Sequence, residues 1–170
     1  MDITEIILTQ HHEQRRMFAI LDDLRDQDPA VIGPVWDQLA ILLEVHAAAE
    51  EEYFYPKVLE VGVGSADADS AREETEDALG DHNDIRDAVA RAGEHEVGSD
   101  MWWKAVTDTR IVNDDHMAEE ERQDLADIRR HASLQERHDI AVQFVSFMAR
   151  HAAGVTTQDR DPERYIEQHS

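Results

Sequence analysis

The hydrophobic residues of the chain fall into long segments with a helical repeat, and no segment shows the sustained alternation of a strand. Ile7, His11, Phe18 and Leu21 make the stripe of a first helix expected over about 4–25. Trp36, Leu39, Leu43, His46, Glu50 and Tyr53 follow one another at alternating steps of three and four, which predicts a second helix from 34 to about 60. Pro34 suits its first helical position. Leu79, His82, Ile85 and Val89 mark a third helix over about 70–92. Trp102, Thr109, Val112, His116 and Glu120 mark a fourth from 100 to about 130, with Ser99 as N-cap. Ile140, Phe144 and Phe147 or Met148 give the apolar side of a fifth over 134–153. Glycine and proline cluster between these segments, at Pro29, Gly33 and Pro34, at Gly62 and Gly64, at Gly93 and Gly98, and at Gly154.

Four long helices with short connections predict an all-α fold, an up-down-up-down four-helix bundle with an additional C-terminal helix on its outside or across one end. The bundle should occupy residues 1–154, and residues 155–170 should be a polar, flexible tail.

Composition narrows the chemistry. A chain of 170 residues with 41% hydrophobic content suits one domain with a real core. It contains no cysteine, which excludes disulfides, thiolate metal sites and cysteine nucleophiles. A net charge of −23 repels nucleic acid and anionic lipid, so neither is expected as a partner. With no apolar run approaching about 18 residues and no basic leader, the chain is expected to be cytoplasmic, without a membrane partner.

Ten histidines remain to be explained. Residues four apart on a helix lie within about 40° of one another. His46 and Glu50 have that spacing, as do His116 and Glu120, and both pairs fall on the apolar stripe. A glutamate there is costly unless it is paired or bound to a cation. His11 and His82 add one imidazole from each of the other two helices. A single inward histidine is more often a hydrogen-bonded core residue than a ligand. Two His-x-x-x-Glu pairs and two further histidines, all in register, favour metal. Imidazole with carboxylate suits iron, and carboxylates able to bridge imply two ions. The other histidines, His12, His95, His131, His138, His151 and His169, are expected at the surface. The ferritin-like arrangement, Glu-x-x-His on two helices, has no match at the inward positions.

The segments His46-Ala-Ala-Ala-Glu50 through Pro56, Gln10-His11-His12-Glu13, Asp81-His82-Asn83-Asp84 and His116-Met117-Ala118-Glu119-Glu120-Glu121 resemble the four motifs of the hemerythrin, or His-His-Glu cation-binding, family. The likeness covers about residues 4–125 and points to His11 over His12. It leaves Glu120 and Glu121 both open. Oxygen-carrying members have a further histidine where this chain has Arg86, so the pattern looks like a bacterial subgroup with one His, His-x-x-x-Glu, one His and His-x-x-x-Glu. The resemblance implies two iron ions with a bridging oxo or hydroxo group, held by His11, His46, Glu50, His82, His116 and Glu120, the two glutamates bridging. Counting ligands on two octahedral ions then leaves two open positions, which suits a peroxide or diatomic ligand and redox turnover. Peroxide disproportionation leads, with reversible binding of dioxygen or nitric oxide and a di-iron oxygenase as rivals. Tyr53 is a candidate to occupy an open position or donate to it, or is a core aromatic. Arg86 either bonds a bound anion or pairs with an acidic neighbour.

Overall fold

The computed structural model describes residues 1–66 and 68–169. Helix α1 runs Ile3–Asp23, capped by Asp2, whose carboxylate accepts from Thr4 N–H. Helix α2 runs Pro29–Ala49. It begins five residues before the expected start because Asp28 accepts from Ala30 N–H and Pro29 takes the first position. Pro34 therefore lies inside the helix, where its lack of an N–H forgoes one helical bond. A π-helical turn, Glu50–Phe54, joins α2 to α3, Tyr55–Val61.

Helix α4, Ala71–Gly93, is capped by Ser70 and follows expectation closely. The predicted fourth helix is broken. Helix α5 spans Asp100–Arg122, Gln123 leaves helical geometry at φ −102 and ψ −82, and α6 resumes over Asp124–His131. Helix α7, Leu134–Arg150, opens on a reciprocal cap between Ser133 and Glu136.

Helices α1, α2, α4 and α5 form the ring of the bundle, each packed on its neighbours, and α7 lies outside against α1, α2 and the π turn. The tail departs from expectation. Pro162–His169 forms helix α8, which docks on α3 and α4 and buries Tyr165 and Ile166. Those two apolar side chains, adjacent in a polar sequence, supply the area that holds it down.

Two apolar clusters divide the interior. One gathers Phe18, Leu21, Ile32, Trp36, Leu39, Leu43, Ile85 and Trp102 at one end. The other gathers Ile3, Ile7, Phe54, Val58, Leu79, Leu125, Ile128, Phe144 and Ile166 toward the opposite end. Between them in sequence, on each ring helix, sit the buried imidazoles and carboxylates. The continuous helix Pro29–Val61 is long and apolar enough to cross a bilayer by composition, its most apolar window reaching a mean hydropathy of 1.2. Here it is an inner helix that carries buried His46, Glu50 and Glu51 into the bundle.

Candidate metal centre

Each ring helix brings one imidazole inward. His11 comes from α1, His46 from α2, His82 from α4 and His116 from α5, and none is more than 3% exposed. His12 is exposed on the outside of α1, so the choice between the two falls to His11. Side-chain donors of His11, His46, Glu50 and Glu120 lie within 4.8 Å of one another, and those of Glu50, His82 and His116 form a second such group. Glu50 belongs to both. Its Oε1 is 2.9 Å from His46 Nε2 and its Oε2 is 3.3 Å from His82 Nε2.

Glu120 resolves against Glu121 by burial. Glu120 Oε2 is 3.1 Å from His11 Nε2 with the side chain 1% exposed. Glu121 instead reaches the other nitrogen of the same ring, at 3.0 Å, and pairs with Arg15 at 2.8 Å. Glu120 does not share itself between the groups as Glu50 does, because its Oε1 accepts the Tyr55 hydroxyl at 3.2 Å.

The outer nitrogens are all engaged. His11 Nδ1 meets Glu121, His46 Nδ1 meets the side-chain amide oxygen of Gln10 at 2.6 Å, and His82 Nδ1 meets Glu51 at 3.1 Å. His116 Nδ1 lies 3.4 Å from Asp81. Carboxylate and amide oxygens only accept, so these partners place the ring proton on Nδ1 and leave the Nε2 lone pair pointing inward. His82 Nε2 and His116 Nε2 face each other at 3.3 Å. Two lone pairs at that distance repel unless a cation or proton lies between the rings. His11 Nε2, His46 Nε2, both Glu50 oxygens and Glu120 Oε2 are buried without a hydrogen-bond partner of good geometry. An array of orphaned inward lone pairs, each ring braced from behind, is the donor set a divalent cation needs.

The electrostatics agree. Burial disfavours charge on His11, but the carboxylates of Glu120 and Glu121, which can accept from its ring N–H groups, outweigh it and push its pKa up to about 9. His82 rises to about 9 for the same reason, with Glu50 and Glu51 as partners. His46, where burial prevails, is lowered. Glu50 is held well below the carboxylate range by His46 and His82 despite its burial. The carboxylates therefore require positive charge beside them, supplied by protons on His11 and His82 or by a cation that displaces them.

The two candidates nominated for chemistry from sequence lie elsewhere. Tyr53 turns outward and packs its ring on Phe147 of α7, centroids 5.8 Å apart. Arg86 is spent on Glu51 at 2.6 Å and Glu44 at 3.1 Å, so it braces His82 through Glu51 and does not face the donors. Tyr55 takes the inward place. The Tyr55 N–H bonds the Glu50 carbonyl, an i to i+5 bond that fits one extra residue into the turn. That residue rotates everything after Glu50, bringing Phe54, Tyr55 and Val58 inside. Pro56 is the sequence signal for it, since a mid-helix proline has no N–H and crowds the carbonyl four residues back. Burial, then the charges of Glu120 and Glu50, raise the Tyr55 pKa well above its ordinary value, so the phenol stays a donor.

Glu51 was also missed. It is 1% exposed and joins His82, Arg86 and, at 3.1 Å, Arg160 of the C-terminal segment. The Tyr165 hydroxyl donates to its backbone carbonyl. Phe144 of α7 covers the His46 ring edge-on, centroids 5.9 Å apart.

A helical bundle whose four ring helices converge imidazole and carboxylate on one interior point is a cation-binding bundle. The model of the hemerythrin HHE cation-binding domain matches residues 2–128, and the chain belongs to that family. Membership implies iron, and the donor set fits it. No curated protein and no solved structure matches the chain.

Proposed function

We propose that the protein is a non-haem di-iron protein that disproportionates hydrogen peroxide, turning two peroxide molecules into two of water and one of dioxygen. His11, His46, Glu50 and Glu120 would hold one iron and Glu50, His82 and His116 the other, with an oxo or hydroxo group between the ions. The observation that carries the reading is that all four imidazoles direct Nε2 inward while an acceptor stands behind every Nδ1. Bound there, two irons supply linked one-electron redox chemistry toward oxygen species.

The asymmetry of the donors supports turnover. The His82 group offers three protein residues and the His11 group four, which favours open coordination on the His82 side. Tyr55 holds its proton at Glu120. Phe144 keeps bulk water from His46. A cavity of about 10 Å³ touches His116 and Glu120, room for one water-sized molecule. A space that small opposes an oxygenase, which needs room beside the metals for an organic substrate. The apolar cleft of about 270 Å³ between Met17, Ile41, Leu42, Val45 and Met148 includes none of the cluster residues. The same enclosure favours, as a second reading, reversible binding of dioxygen or nitric oxide.

Iron analysis of the purified protein should give two per chain, and peroxide added to it should release dioxygen faster than the same amount of free iron. Two irons with no turnover, and an absorption band that appears on aeration and is lost under vacuum, would establish the second reading instead.

A further inference from the structure

We propose that a file of buried carboxylates, Asp127, Glu74 and Asp124, carries protons between solvent at His131 and the donor cluster at Glu120, with Glu74 as the member that stores a proton. The inference rests on the redox reading above, because in disproportionation the reduction of one peroxide takes up two protons at the cluster and the oxidation of the other releases two, so protons must move to and from it in alternate halves of the cycle.

Three buried carboxylates lie beyond Glu120, and two of them, Glu74 and Asp124, have too few partners. Glu74 of α4 and Asp124 and Asp127 of α6 are at most 2% exposed. Both oxygens of Glu74 and Oδ1 of Asp124 are buried without a hydrogen-bond partner of good geometry. Glu74 and Asp124 line the one-water cavity that also touches Glu120 and His116. An uncompensated buried carboxylate costs several kcal/mol, so a cation or a proton must neutralise it. Among the described residues, the histidine and carboxylate groups that converge closely enough for a metal are the two at the centre. A proton is the better occupant here. Burial first and the Asp127 charge second push the Glu74 pKa up to about 8, against a smaller pull from the Ser65 backbone. Glu74 is therefore a carboxylic acid at neutral pH, with Asp127 beside it as acceptor.

The outer end of the file is built with care. Asp127 Oδ1 is 2.6 Å from His131 Nδ1, and the His131 side chain is 33% exposed. Asp127 Oδ2 accepts from Val63 N–H at 2.7 Å and Gly64 N–H at 3.0 Å. Gly62 makes room for it, since a Cβ there would meet that oxygen at 2.5 Å. Transfer runs His131 to Asp127 to Glu74 to Asp124, then across the one-water cavity to Glu120. Each hop moves one proton and no electron, and solvent restores the proton at His131.

The test uses the iron-loaded protein, reduced photochemically in weak buffer with a pH indicator. E74Q should keep its iron content and visible spectrum while proton uptake slows by about tenfold or more. Unchanged uptake overturns the proposal. The second measurement needs no substitution: at neutral pH the wild type should show the infrared band of a protonated carboxyl that shifts on labelling with 13C-glutamate. No such glutamate band, or its loss on adding Mn²⁺ as a third metal binds, also overturns it. Failure of the functional reading looks different: no peroxide turnover, with the glutamate band and the uptake on reduction unaltered.

Discussion

The two halves of the helix that starts at Pro29 are built on opposite terms. Its first half, through Ile32, Trp36, Leu39 and Leu43, is regular α-helix and packs on Phe18, Ile85 and Trp102 in a dry cluster. Trp102 meets Trp36 edge-on at 5.8 Å and Trp103 at 4.7 Å. Its second half carries His46, Glu50 and Glu51, contains the π turn and buries charge. The first half is held by area removed from water, which tolerates any well-fitting apolar side chain. The second is held by matching every donor to an acceptor and every carboxylate to a positive charge, where removing one partner strands another. One end of the bundle is a scaffold, and the middle is a site whose stability depends on what it binds.

The comparison breaks most visibly at the dry end. W102A should cost about 3–5 kcal/mol in denaturant unfolding and leave iron content per folded chain unchanged; lost iron would mean that the halves are coupled. Next, E51A should weaken iron binding by about 10- to 100-fold, because it removes the acceptor that orients His82, with little change at the tryptophan end. Competition against a chelator reads this out.

The pH dependence comes third. A carboxyl whose folded pKa is raised costs nothing below its unfolded value, because it is protonated in both states. The cost grows as pH rises from near 4.5 to about 8 for Glu74 and is complete above that. The metal-free protein should therefore lose stability across that window by at most about 1.4 kcal/mol per pH unit from this group. His11 and His82, raised to about 9, push the same way from 6.5 upward. The difference between wild type and E74Q, followed by thermal unfolding at pH 5 and pH 8, isolates Glu74: it should be small at pH 5 and favour E74Q at pH 8. The smallest effect separates the tyrosines. Y55F should cost about 1 kcal/mol and shift the spectrum of the iron-loaded protein, and Y53F should leave that spectrum unchanged.

Much of this was legible beforehand. The stripes of Leu79, His82 and Ile85 and of Trp102, Thr109 and His116 gave α4 and α5 their inward faces, and Ser99 stands as the cap expected of it. The start of α2 was misplaced because Pro29 and Pro34 both satisfy the rule for a first position, and the Asp28 cap decides between them. The break at Gln123 and the docking of α8 were not legible. The first depends on where the buried carboxylates of α6 find room, and the second on a groove made by α3 and α4.

From sequence alone came the helices, the bundle and the six donors His11, His46, Glu50, His82, His116 and Glu120, because spacing within one helix fixes which side chains share a face. Only the folded chain decided which residue stands behind each ring: Glu121, Gln10, Glu51 and Asp81 come from other helices or from positions that an ideal repeat would leave outside. It also decided Tyr55 over Tyr53. A single added residue in one turn rotates all that follows by about 100°, a shift that neighbouring helices stabilise and that a helical repeat read from sequence does not contain.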